Sequence, residues 1–117
     1  MKKSLTKKER LKKTQDIKQL FQSSLRQSCR GMKIVYKRNG LSWNRMTVTL
    51  VRKYGNAVVR NRSKRQIREI YRNIKHRLQS GWDMVIILYP GDYTYEDRKS
   101  QVFLLLQKAH ILVETDT

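Results

Sequence analysis

Little in this chain can do chemistry unaided. A single cysteine, Cys29, excludes an internal disulfide, so a reduced, cytoplasmic setting is expected and a structural thiol rather than a nucleophile. With one proline and five glycines there is no linker, and no repeat or low-complexity tract appears. At 117 residues the chain has room for one domain with a modest core. The longest apolar run, Met84 to Tyr89, is far too short to cross a bilayer. Leu5 is followed by charged residues rather than apolar ones, so no signal peptide is expected. Negative charge is scarcest of all: nine acids face 27 Lys and Arg, for a net charge of +18. A field of that sign favours polyanionic partners and opposes the isolated fold by self-repulsion.

The acids are also scattered, whereas a self-sufficient nuclease needs clustered carboxylates for metal ions or a paired acid and base. Asp92, Glu96 and Asp97 lie close together, but helix capping explains them better than a weak Mg²⁺ site. His76 and His110 fall on different helices with no carboxylate at triad or metal-ligand spacing. No Gly-rich phosphate loop precedes a Lys-Ser or Lys-Thr pair. A protein-only, metal-dependent nuclease is therefore disfavoured.

What the chain does have is concentrated in residues 52 to 77, where ten of twenty-six positions are Lys or Arg and only Glu69 is acidic. Helical spacing sorts this stretch into two faces. Val59, Ser63, Ile67, Ile70 and Ile74 form one, with Tyr71 and Leu78 at its edge, and Lys64, Arg65, Arg68, Arg72 and Lys75 form the other. Gly55-Asn56 predicts a capped start near Ala57, with Arg60, Asn61 and Arg62 in the first turns. Cations there oppose the helix dipole, and 60, 64, 68 and 72 repel one another at four-residue spacing. A solvated face carries mixed-sign pairs, so this one is expected to meet nucleic acid.

Residues 1–13 are expected to be a flexible basic arm, and 14–117 a single RNA-binding domain. Thr14 is expected to cap a helix carrying Ile17, Leu20, Phe21 and Leu25 that ends near Ser28. A strand from Met32 to Arg38 and another from Arg45 to Arg52 are predicted to pair as an antiparallel hairpin around Asn39-Gly40. After the basic helix, Asp83 to Tyr89 reads as a strand buried on both faces, joined by a parallel crossover. Thr94 to Asp97 resembles a capping box opening a last helix, with Val102, Leu105, Leu106 and Ala109 inward, that ends near Leu112. The expected fold class is α/β, an α+β sandwich in the order α-β-β-(β)-α-β-α, with a small central sheet packed by helices.

The run Lys53-x-Gly55-Asn56-Ala57-Val58-x-Arg60-Asn61-Arg62-x-Lys64-Arg65-x-x-Arg68-Glu69 closely resembles the signature of the bacterial ribonuclease P protein component. The resemblance implies a fold akin to the second domain of a small-subunit ribosomal protein, with a left-handed βαβ crossover that the usual handedness rule would reject. It implies a protein with no catalytic residues of its own that assists a catalytic RNA in removing the 5′ leader of precursor tRNA. Arg60, Asn61, Arg62, Lys64, Arg65, Arg68 and Arg72 would contact the catalytic RNA, with Gly55, Asn56, Ala57 and Val58 as the supporting motif. Ile17, Phe21, Tyr36, Thr49 and Lys53 match a leader-binding cleft between the first helix and the sheet. Ile17 stands where an aromatic is common and Val51 where a small or hydroxylated residue is usual. Plain core packing competes as the reading of Ile17, Phe21 and Tyr36. Mg²⁺ would be bound mainly by the RNA, with no cofactor intrinsic to the protein. The partners implied are the catalytic RNA, in a one-to-one complex with the protein, and precursor tRNA, with no membrane or small-molecule substrate. A structural ribosomal-type RNA-binding protein is the alternative that size and charge leave open.

Overall fold

The computed structural model describes residues 6–113. Three helices, α1 (Thr14–Phe21), α2 (Ala57–Ile74) and α3 (Tyr95–Lys108), pack on four strands, β1 (Arg26–Cys29), β2 (Met32–Arg38), β3 (Arg45–Leu50) and β4 (Trp82–Leu88). The sheet order is β1-β2-β4-β3. Strand β4 pairs antiparallel with β2 and parallel with β3, so β3-α2-β4 is a parallel crossover.

This order corrects the expected hairpin: β2 and β3 are not neighbours, because β4 lies between them. A strand apolar on both faces loses most by standing at an edge, and Met84, Val85, Ile86 and Leu88 are all buried. The Asn39-Gly40 turn serves a longer loop. Asn39 accepts from the Leu41 N–H at 2.8 Å and donates to Asp83 at 3.0 Å, tying that loop to β4.

The first helix is shorter than expected and stops at Phe21. Ser23 ends it by donating its hydroxyl to Tyr36 O at 2.7 Å while accepting from the Leu25 N–H at 3.1 Å. Leu25 is left exposed, and Arg26–Cys29 becomes a strand paired with β2 through a tight turn at Arg30-Gly31. Gly31 has φ of +84°, and a Cβ there would lie 2.5 Å from the Tyr93 ring, so glycine is required twice over. The last helix also stops early, at Lys108. Ile111 N–H bonds to Leu106 O at 3.0 Å and His110 N–H to Gln107 O at 3.1 Å, closing a Schellman cap with His110 at φ +60°.

The two faces of the sheet carry different layers. One packs Met32, Ile34, Tyr36, Met46, Val48, Leu50, Met84, Ile86 and Leu88 against α2 and α3 in the main core. The other holds a smaller cluster in which Leu11 and Leu20 cover Val35 and Val85, with Ile17 and Ile87 at its margin. The middle of the β2 face turned toward α1 is thus dry, with Val35 buried between Lys33 and Lys37. Residues 6–13 also depart from the expected free arm, since Leu11 is buried and Arg10 bridges Met46. Residues 1–5 of that arm lie outside the described residues.

Candidate nucleic-acid interface

Helix α2 begins where the sequence places it. Asn56 caps it, its side chain accepting from the Val59 N–H at 3.0 Å. Ser63, Ile67, Ile70, Tyr71 and Ile74 are buried, which fixes the helix rotation and turns the opposite face outward. Asn61, Arg62, Arg65 and Arg68 are exposed, and Lys64 and Arg72 are half-buried. Arg60 is different: its guanidinium reaches back to Val51 O at 3.2 Å and holds the loop between β3 and α2.

Among the described residues one ion pair touches this face, at its far end where Lys75 meets Glu9, and the others lie elsewhere. Arg45 takes Asp83 in a two-pronged bond of 2.7 and 2.8 Å and stands 3.6 Å from Asp16, while Lys75 bonds Glu9 at 3.0 Å. These pairs engage Glu9, Asp16 and Asp83 and leave Arg62, Lys64, Arg65 and Arg68 without a carboxylate among the described residues. Each exposed guanidinium in that state has a planar fork of donors of the shape that matches phosphate oxygens.

The expected leader cleft is only partly assembled. Ile17 and Thr49 lie on the α1 side of the sheet, Phe21 is 39% exposed at the end of α1, and Lys53 is exposed just after β3. Tyr36 does not join them. It alternates onto the opposite face, 6% exposed, with its ring edge-on to Trp82 at a centroid distance of 5.5 Å. Its neighbour Val35 faces α1 instead, so the placement of Tyr36 in that cleft is corrected to core packing.

Among the described residues no three of His, Cys, Asp and Glu come together as metal ligands, and the carboxyl of Asp97 caps α3 through the Thr94 N–H at 2.9 Å. Burial pushes the Cys29 thiol up, only partly offset by Lys108 and Arg98, which makes it a poor nucleophile. No helix among the described residues is long and apolar enough to cross a membrane.

Two structural residues near this surface are not evident from composition. Arg98 is 2% exposed and has no acidic partner among the described residues. It donates to Gly31 O at 2.8 Å, Gln101 Oε1 at 2.9 Å, Tyr54 OH at 2.8 Å and Tyr89 O at 3.0 Å. Tyr54 OH in turn meets Ser63 of α2 at 2.8 Å, so Arg98 connects α3 to the start of the basic helix. Its position four before Val102, on the buried stripe, was the available signal. Glu9 is the second. Burial raises its carboxyl, but bonds from Thr6 and Lys75 outweigh that and hold it below the ordinary glutamate range. A depressed carboxyl stabilises the fold above its unfolded pKa, and that contribution disappears as pH falls through the folded value. Wild type is therefore expected to melt above Glu9→Gln at neutral pH, the difference closing below about pH 4, where an unperturbed glutamate protonates. Melting curves from pH 3 to 7 check this, and a constant gap would refute it.

Comparison with known proteins agrees with the geometry. A family described as Ribonuclease P matches residues 5–110. The ribonuclease P protein component of Petrotoga mobilis is 42% identical over 109 residues, covering 87% of this chain and 92% of its own length. The solved RNase P protein from Thermotoga maritima is 26% identical with a TM-score of 0.75, covering 86% of this chain and 96% of that one. A mutant RNase P protein from Staphylococcus aureus, 25% identical, gives a TM-score of 0.84 over 91% of this chain and 92% of that one.

Proposed function

The chain belongs to the bacterial ribonuclease P protein family, and on that premise we propose that it binds the catalytic RNA and the 5′ leader of precursor tRNA in the cytoplasm. In this reading the RNA performs the hydrolysis and holds most of the Mg²⁺. The protein supplies affinity and geometry. The observation that carries the proposal is the outward row of Arg62, Lys64, Arg65 and Arg68, which has no carboxylate partner among the described residues. Each phosphate neutralised there would release condensed cations, so binding should weaken with salt at a log–log slope of roughly 0.7 to 0.9 per contact.

The leader would lie along the α1 side of the sheet, where Phe21 offers a half-open ring for a base and Lys53 a charge for the backbone. Ile17 and Thr49 would line the floor.

Reconstitution with the cognate RNA at low Mg²⁺ tests the whole reading. Cleavage of precursor tRNA is expected to rise on adding the protein, and protein alone is expected to leave the substrate intact at every Mg²⁺ concentration. Cleavage by RNA-free protein would overturn it. Phe21→Ala is expected to weaken precursor binding more than mature tRNA binding, by about 1 to 3 kcal/mol for the stacking of one base. Equal losses for the two would reduce Phe21 to a folding role.

A further inference from the structure

Strand β3 is an outer strand, and its free edge needs a cover. Residues 6–13 provide one. Arg10 forms a parallel bridge with Met46, the Leu11 N–H donates to Met46 O at 3.0 Å, and the Leu11 side chain is 3% exposed in the cluster under α1. The upstream half is fastened at two places. Glu9 takes Lys75 Nζ at 3.0 and 3.2 Å, and Trp43 Nε1 donates to Lys8 O at 3.1 Å, with the Lys8 ammonium 4.9 Å from the Trp43 ring centre.

Docked in this way, the segment forms one wall of an open surface hollow of about 180 Å³ against β3 and α2. Arg10, Lys12 and Arg68 line it beside Thr47, and none of the three cations has an ion-pair partner among the described residues. Three like charges brought to one hollow from two distant parts of the chain repel one another, and an anion between them would relieve that cost. Arginine forks from two sides and a hydroxyl at the wall suit a tetrahedral oxyanion.

We propose that this hollow takes a single phosphate of an RNA backbone, and that it exists only while residues 6–13 are docked by Glu9. The proposal rests on the RNA-binding reading above and adds a site beside the α2 face. It makes the acidic residue a positive contributor to binding a polyanion.

That sign gives the test. Glu9→Gln removes a negative charge from a strongly basic protein, so undirected electrostatics alone requires tighter RNA binding. The proposal requires weaker binding, by about fivefold, because release of the segment carries Arg10 and Lys12 away. Lys12→Ala should weaken binding of the cognate RNA to a similar degree and lower the salt slope by roughly 0.7 to 0.9. In the Glu9→Gln background the Lys12→Ala loss should largely vanish, since both act on one site. Filter binding of the full chain across a salt series reads all three, with circular dichroism confirming that each variant is folded. Glu9→Gln binding as tightly as wild type, or more tightly, overturns the proposal. If Arg62→Ala with Arg65→Ala still weakens binding in that case, the α2 reading survives and only the hollow is lost. Amide shifts at Leu11 and Met46 distinguish the source of the anion. Shifts with inorganic phosphate support a site open to the free ion as well, shifts with RNA alone support a backbone phosphate only, and shifts with neither overturn it.

Discussion

Arg62→Ala combined with Arg65→Ala is expected to weaken binding to the cognate catalytic RNA by roughly 3 kcal/mol, more than a hundredfold, with little change in melting temperature. The two effects separate because both side chains are exposed and neither is ion-paired among the described residues. Removing them costs the fold nothing in packing, and surface changes of this kind usually stay within about 0.5 kcal/mol. On RNA each guanidinium would replace hydration with charge-assisted bonds to phosphate, worth about 1.5 to 3 kcal/mol apiece. The salt slope should fall by about 1.5, because two phosphates would no longer be neutralised. Binding isotherms at several salt concentrations measure both quantities. An unchanged affinity would remove α2 from the interface.

A change of opposite character is expected at Arg98. Arg98→Ala should lower stability by about 2 to 4 kcal/mol, a drop of roughly 10 °C in Tm for a chain of this size. The guanidinium donates four hydrogen bonds of 2.8 to 3.0 Å, and its loss takes from Tyr89 O the bond it accepts and leaves Gly31 O with only the Tyr89 N–H and the Tyr54 hydroxyl with only Ser63. The ring of Tyr93 also loses the cation 4.5 Å from its centre. Relief from burying an unpaired charge offsets part of the loss, which is why the figure stays below the sum of the bonds. Arg98→Lys should recover only a part, because one ammonium cannot reach acceptors spread around a planar fork. Denaturant titration measures the loss, and a value under about 0.5 kcal/mol would show that the network is not what ties α3 to β2 and α2.

The basic helix was legible almost to the residue because every signal for it is local. Apolar spacing, the Asn56 cap and the repelling charge row all lie within one stretch, and together they set both the helix and its rotation. The capping box at Thr94 and Asp97 was legible for the same reason. The hairpin expectation failed because a local turn signal at Asn39-Gly40 was weighed without the competitor for the same edge of β2. Strand β4, more apolar and far along the chain, displaced β3 from it. Tyr36 failed differently: alternation put it opposite Val35, but alternation alone does not say which face α1 covers. The free-arm reading of residues 6–13 came from their composition, and it missed Leu11, a single apolar residue with a buried place waiting for it.

The sequence by itself determined the charge, the absence of a local catalytic set, the family signature and the amphipathic helix that carries it, since these depend on residue type and short spacing. Only the tertiary structure decided the strand order, the face on which each β2 residue lies, the burial of Arg98 and the convergence of Arg10, Lys12 and Arg68. Those depend on which distant surfaces exclude water from one another, and burial is a property of the whole packed chain that no window of neighbouring residues contains.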